Sequence, residues 1–180
     1  LDYKHVLSLC KTKWNFIDFE PGLVGGHCVP VDPYYLIEDI KKKGLRSDVL
    51  VASRKVNENF VDYISKKIIK IIKNMKHTNM FFYGINFKDN VYDKRNSKYF
   101  LIFKNIKKVY SKKITLGDDI IFKKKIDLKK YNMMIIGSKN SKNYKKINKF
   151  KGNKKSKKII INIFGNLKLS SDKNLKVINI

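Results

Sequence analysis

The sequence predicts an α/β protein, with a helical leading segment followed by a mainly parallel sheet whose strands alternate with helices. Three observations carry this. Short apolar runs, "NMFFYGI", "NMMIIG" and "KKIIINIF", recur in the second half with longer stretches between them. Continuous apolar runs of that length suit strands covered on both faces, as in parallel sheets. Residues 48–73 instead place Val49, Ala52, Val56, Phe60, Ile64, Ile68 and Ile71 at steps of three and four, the spacing of a helical stripe. All three prolines (Pro21, Pro30, Pro33) fall in residues 19–36, so no proline interrupts anything later.

The elements follow in order. Residues 1–14 have helical spacing, with Val6, Leu7, Leu9 and Cys10 near one side and Cys10 expected in the core. The stretch "FEPGLVGGHCVPVDPYYL" (19–36) is punctuated by Pro and Gly and predicts a loop. A short helix is expected to start at Pro33 with Asp32 as its N-cap and to end at Gly44. The long helix spans 48–73 and its apolar stripe is expected to be buried. A polar break at 74–79 divides a segment 1–76 from a segment 77–180. Thereafter 79–85 is a strand, 97–110 a helix, "KKITLG" and 132–137 strands, and the polar stretch through Phe150 a further candidate helix. Strands at 157–164 and "LKVINI" close the chain.

Composition bounds the function. The formal charge is +26, which invites a nucleic-acid reading because lysines release counterions from phosphates. Arginine occurs only at positions 46, 54 and 95, although base and phosphate readers favour its bidentate fork. The lysines are also spread over the whole chain, so nucleic acid is not the expected partner. Two cysteines in dissimilar surroundings do not make a disulfide framework and favour a reducing, cytoplasmic setting. No apolar run approaches the roughly 20 residues that cross a bilayer. The chain begins with Leu1 inside a predicted helix, so it is expected to be the C-terminal part of a longer protein.

Chemistry concentrates in the loop. Cys28 lies just ahead of a helix N-terminus, where the dipole and free N–H groups favour a thiolate, the nucleophilic form. Gly25 and Gly26 permit close approach of backbone to a ligand. Asp32 suits positioning a water or taking a proton, but equally suits a helix cap. A lone cysteine is also often a small buried hydrophobe, and His27 is most simply a loop residue. The strand "MFFYG" leads into "INF" with Gly84 alone, so the G-x-G-x-x-G phosphate turn is absent. Open α/β sheets nevertheless take ligands at the carboxyl ends of their strands, which predicts a site near "NFKDN" and residues 137–141.

The string "KTKWNF" followed by "FEPGLVGGHCVPVDPYYL" resembles the nucleotide-sugar 6-dehydrogenases, the UDP-glucose and UDP-N-acetylhexosamine dehydrogenase family. The wording around Cys28 is most similar to the branch acting on UDP-N-acetylglucosamine or a close isomer for surface polysaccharides. A second segment, "GINFKDNVYDKRNS" (84–97), resembles the family's G-x-x-F-K-x-x-x-x-D-x-R-x-S motif at Gly84, Phe87, Lys88, Asp93, Arg95 and Ser97.

The resemblance implies a Rossmann-like UDP-binding domain over 77–180, a dimerising helical segment over 1–76, and an N-terminal NAD-binding domain that this chain lacks. It implies oxidation of the sugar C6 alcohol to a carboxylate, with two NAD per turnover. Cys28 matches the nucleophile that forms a thiohemiacetal and then a thioester, and Asp32 matches the carboxylate that handles water. Phe19, Glu20, Pro21, Gly22, Leu23, Val24 and Gly25 match the loop that holds the UDP-sugar. Lys88 matches a substrate-contacting lysine, and Arg95, with Cys28, faces NAD. Arg54 and Asn57 fall in a helix motif whose role is either structural or functional. The implied partners are a UDP-sugar, NAD and a second copy of the chain. UDP-glucose and UDP-N-acetylmannosamine are the alternative substrates, and an inactive remnant or a basic nucleic-acid-binding module the alternatives outside enzymes. Without the NAD domain, the chain alone is expected not to turn over.

Overall fold

A computed structural model describes residues 1–18, 22–75, 78–117, 127–138, 147, 150, 157–163 and 173–180. Three helices come first: α1 (Tyr3–Cys10), α2 (Asp32–Lys42) and α3 (Asp48–Lys73). Five strands follow, β1 (Met80–Tyr83), β2 (Ile114–Gly117), β3 (Met133–Ile136), β4 (Lys158–Asn162) and β5 (Leu175–Asn179). Helix α4 (Lys98–Val109) joins β1 to β2, and a 3₁₀ turn (Leu128–Lys130) precedes β3.

Every strand pair is parallel, and the order is β2-β1-β3-β4-β5. The chain steps from β1 to one neighbour, then crosses to the other side and continues outward. The β1/β3 boundary is therefore the switch point, where two crossover connections leave in opposite directions and a crevice opens. Alternate strand residues point to opposite faces, and both faces are covered. Met80, Phe82, Met133, Ile135 and Ile161 pack with Val61, Ile64, Ile68 and Ile72 of α3 and with Ile102, Phe103 and Ile106 of α4. Phe81, Tyr83, Met134, Ile136 and Ile160 pack on the other side with Ile147 and Phe150. This double covering is why the strands read as unbroken apolar runs. The polar stretch 139–156, expected to be helical in part, lies outside the described residues apart from Ile147 and Phe150.

Local chemistry sets the helix ends. Ser97 caps α4, its Oγ accepting the Phe100 N–H at 3.3 Å, a bond of the kind that contributes about 1 kcal/mol. Helix α2 departs from expectation. Val31 holds the cap position with no side-chain cap bond, and Asp32 is the first helical residue. The Asp32 N–H is already taken by the Cys28 carbonyl at 2.9 Å, as is the Val31 N–H. A backbone turn thus leads into the helix at Val31, and the Asp32 side chain, inside the first turn rather than at the cap, stays exposed.

The α3 stripe also divides. Ile64 and Ile68 are 1% and 0% exposed, whereas Val49 and Val56 are 83% and 66% exposed, and Ala52 is exposed too. Two causes combine. Four-residue steps advance 400° on a helix of 3.6 residues per turn, so the row 56-60-64-68 winds about 120° around the axis. The sheet and α4 also cover only the C-terminal half of α3. In the N-terminal half the inward residues are Asn57 and Val61. Cys10 is likewise not in the core: it is half-buried, and Val6 and Leu9 of the same helix are exposed.

Candidate functional site

The cysteine loop, residues 22–31, has no hydrogen-bonded partner strand and is instead held at four points. Leu23 inserts into the core beneath it, among the residues on the α3 and α4 side of the sheet. Next, α3 grips Val24 by both backbone groups. Asn57 Oδ1 accepts the Val24 N–H at 2.9 Å, and Asn57 Nδ2 donates to the Val24 carbonyl at 3.0 Å. Asn57 is buried, so a planar amide matched to the N–H and the carbonyl of one residue serves as a two-point anchor.

The third and fourth points come from the segment that follows β1. Gly26 N–H donates to the Arg95 carbonyl at 3.1 Å, and Asn96 Nδ2 donates to the Gly26 carbonyl at 3.0 Å. This approach requires the two glycines. A Cβ on Gly25 would lie 2.7 Å from the Asn96 carbonyl oxygen, and one on Gly26 would lie 2.9 Å from the Phe87 ring. Gly26 also has φ +99°, which side-chain-bearing residues seldom adopt. The structure therefore brings the "GGHC" and "KDNVYDKRNS" segments into direct contact.

Cys28 is exposed at the surface of this junction, its Sγ 3.5 Å from His27 Nδ1. Arg95 is fixed by Asp93. The Asp93 Oδ1 accepts the Arg95 backbone N–H at 2.8 Å, and Oδ2 accepts Nε at 2.8 Å and Nη2 at 2.6 Å. These bonds hold the Asp93 carboxyl below its ordinary range and raise Arg95 further. Weaker charge interactions reach Asp93 from His27 and Arg95 from Cys28.

Among the other expected site residues, Asp32 is exposed at the start of α2, four residues past the thiol, and Lys88 is exposed on the loop after β1. Gly22 is exposed, and Phe19, Glu20 and Pro21 lie outside the described residues. Arg54 reaches under the loop, with Nη1 3.5 Å from the Val29 carbonyl and a buried Nε that has no partner among the described residues. Asn96 was not expected at all. Its signal in the sequence is slight, an Asn that takes φ +48° between Arg95 and the cap Ser97.

The strand ends at the switch point are stitched together. Gly137 N–H donates to the Tyr83 carbonyl at 2.8 Å, Ser138 N–H to the Gly84 carbonyl at 3.0 Å, and Asn86 N–H to Ser138 Oγ at 3.1 Å. Gly84 has φ +78° and no room for a Cβ, which would fall 2.0 Å from the Ser138 carbonyl oxygen. Residues 139–141 of the expected ligand region lie outside the described residues. Among the described residues no group of three or more His, Cys, Asp or Glu side chains gathers to hold a metal, and no helix is long and apolar enough to cross a membrane.

Residues 1–59 match the family model described as UDP-glucose/GDP-mannose dehydrogenase family, central domain. Residues 1–59 therefore carry that family's central domain. Among curated relatives, protein CapL of Staphylococcus aureus is 38% identical over 122 residues, covering 66% of the chain and 28% of CapL. A UDP-N-acetyl-D-glucosamine 6-dehydrogenase of Salmonella typhi gives the same figures, 38% over 122 residues, 66% and 28%. The chain thus spans little more than a quarter of the length of these relatives. The solved UDP-D-ManNAc dehydrogenase of Pyrococcus horikoshii shares the fold with a TM-score of 0.72 at 19% identity, over 99% of this chain and 44% of that one. The family match ends at residue 59, so it contains the cysteine loop and Asn57, while the Arg95 side of the site lies beyond it.

Proposed function

We propose that this chain supplies the nucleophile and the nucleotide-sugar side of an NAD-dependent UDP-N-acetylhexosamine 6-dehydrogenase, with UDP-N-acetylglucosamine as the substrate. The observation that carries the reading is the junction itself. An exposed thiol sits on a glycine loop clamped against a segment that bears a fixed arginine, in a chain whose residues 1–59 match this family's central domain. Cys28 is the residue that adds to the C6 aldehyde, holding it as a thiohemiacetal from which hydride departs and leaving a thioester for water to open. Asp32, exposed beside the thiol, orients that water. The loop from Phe19 to Gly25 closes on the sugar, and Lys88 faces the diphosphate. The uridine end lies at the β1/β3 switch point, where open parallel sheets take their ligands.

The residues fit a dinucleotide on the other side. Arg95 is two-thirds exposed, is prevented from swinging by Asp93, and lies on the Cys28 side of the junction. Arg95 and Cys28 would face NAD, which when bound accepts the hydride. The exposed apolar residues Val49, Val56 and Phe60 of α3, with Tyr34 and Leu36 of α2, form the face on which a second copy would seat. The protein works in the cytoplasm, where the thiol stays reduced.

The test uses the protein expressed from its full gene. UDP-N-acetylglucosamine is expected to give NADH and the uronic acid faster than UDP-glucose or UDP-N-acetylmannosamine, and Cys28→Ser to abolish acid formation. Acid output unchanged in Cys28→Ser would overturn the role of the thiol. Faster turnover of another sugar would reassign the substrate.

A further inference from the structure

We propose that His27 is the proton acceptor for Cys28, so that the thiol reacts as one half of a thiolate–imidazolium pair built from adjacent residues. The geometric basis is the 3.5 Å approach of Cys28 Sγ to His27 Nδ1, both side chains exposed at the junction. Neighbouring side chains usually diverge. Here the backbone turns at Gly26, with φ +99°, and the Cys28 carbonyl is tied back to the N–H groups of Val31 and Asp32. The loop can hold this turn because Arg95 and Asn96 clamp Gly26 from outside.

The ion pair of Asp93 and Arg95 lies on the segment that clamps Gly26, the residue before His27. Once the proton has moved, the loop carries an imidazolium and a thiolate, and the segment clamped to it carries a carboxylate and a guanidinium. Other charged groups on the loop and its supports are Asp32, at the start of α2, Arg54, beneath the Val29 carbonyl, Glu58 beside Asn57 on α3, and Lys88, Asp89 and Lys94 on the segment after β1. An opposite charge within a few ångströms stabilises each ionised group in turn.

The step balances without an added reagent. The Sγ–H bond breaks and its proton passes to Nδ1 of a His27 that carries its own hydrogen on Nε2. The freed sulfur pair forms the bond to the carbonyl carbon, whose π pair moves to oxygen. When water later opens the thioester, the C–S pair returns to sulfur and His27 gives the proton back. This role rests on the reading of Cys28 as the nucleophile, but the pair itself is tested without turnover.

Alkylation of the 180-residue chain by iodoacetamide, followed peptide by peptide, measures Cys28 against the half-buried Cys10 as an internal reference. His27→Gln keeps a polar side chain and removes the basic nitrogen. It is expected to slow Cys28 alkylation at neutral pH by about fivefold, leave Cys10 unchanged, and lose its effect above about pH 8.5, where free thiols ionise unaided. Equal rates at neutral pH would overturn the proposal, as would a deficit of the same size at every pH, which marks mere access. A second measurement needs no His27 variant: the parent chain is expected to show thiolate ultraviolet absorbance at neutral pH that Cys28→Ser lacks, and identical spectra would also overturn it. Positive alkylation results with an inactive full protein would sink the dehydrogenase reading and leave the pair standing.

Discussion

Asn57→Ala tests whether the cysteine loop is held by α3. The substitution removes two hydrogen bonds to the backbone of Val24, at 2.9 and 3.0 Å. Each such bond contributes about 1 kcal/mol net, and leaving partly buried backbone groups without partners adds to the cost. The expected loss is about 2 kcal/mol, most of it local to the loop, because Leu23 remains inserted in the core. At 1.4 kcal/mol per decade, about 2 kcal/mol corresponds to roughly 30-fold faster opening. Hydrogen exchange at the Val24 amide reads this directly, and urea unfolding followed by circular dichroism reads the global share. Asn57→Asp is a sharper control. It keeps an acceptor for the Val24 N–H but turns a second oxygen toward the Val24 carbonyl, so it should rescue little. If Asn57→Ala leaves Val24 exchange unaltered and shifts stability by less than about 0.5 kcal/mol, α3 does not hold the loop and the Gly26 contacts alone do.

Three further outcomes are expected. Gly84→Ala combines φ +78° with a Cβ 2.0 Å from a backbone oxygen, so it should cost more than about 3 kcal/mol and lower the melting temperature sharply. Glu58→Ala leaves the buried Lys98 ammonium without the two carboxylate contacts it makes at 2.6 Å. Because Glu58 is itself 43% exposed, the loss should be nearer about 2 kcal/mol than the 3–5 of a fully buried pair. Lys98→Met should cost less, as urea midpoints of the two variants would reveal. Finally, the Asp93 carboxyl is held below its ordinary value of 3.8 by Arg95. A depressed carboxyl contributes stability above its unfolded value and loses it as pH falls through the folded one. The Asp93–Arg95 clamp should therefore persist at pH 3.8 and release only below it; a ¹³C titration of Asp93 with a midpoint at or above 3.8 would refute this.

The sheet was legible because its chemistry is local. A parallel strand covered on both faces has to be apolar at every position, and MFFY and MMII satisfy that without knowledge of their neighbours. The ends of α3, Asp48 and Lys73, were legible for a similar reason, since the apolar period starts and stops there. What the α3 stripe faces was not. Val56 and Ile68 belong to one row in the sequence, but the winding of that row together with the reach of the sheet leaves one exposed and the other buried. The cap of α2 failed differently, because the helix begins one residue early off a backbone turn from Cys28, with Val31 at the cap and Asp32 inside the first turn. At the site, Cys28 stood out by composition, while its supports did not. Asn57 and Asn96 act on backbone groups 33 and 70 residues away, and nothing in a polar side chain announces which distant peptide it will bind.

Those same separations set an order in time. The contact across 33 residues closes a loop about as long as the one between Met80 and Ile114 in the β1–β2 pairing, whereas the contact across 70 residues closes a longer loop than either pairing of β1 and carries the larger entropic cost. Helix α3 and strand β1 lie between the two halves of the clamp, and both have to be docked before Gly26 can meet Asn96. The Gly26–Asn96 contact is accordingly the costlier half of the clamp to close, and Cys28 takes its place at the junction only once α3 and β1 are in position.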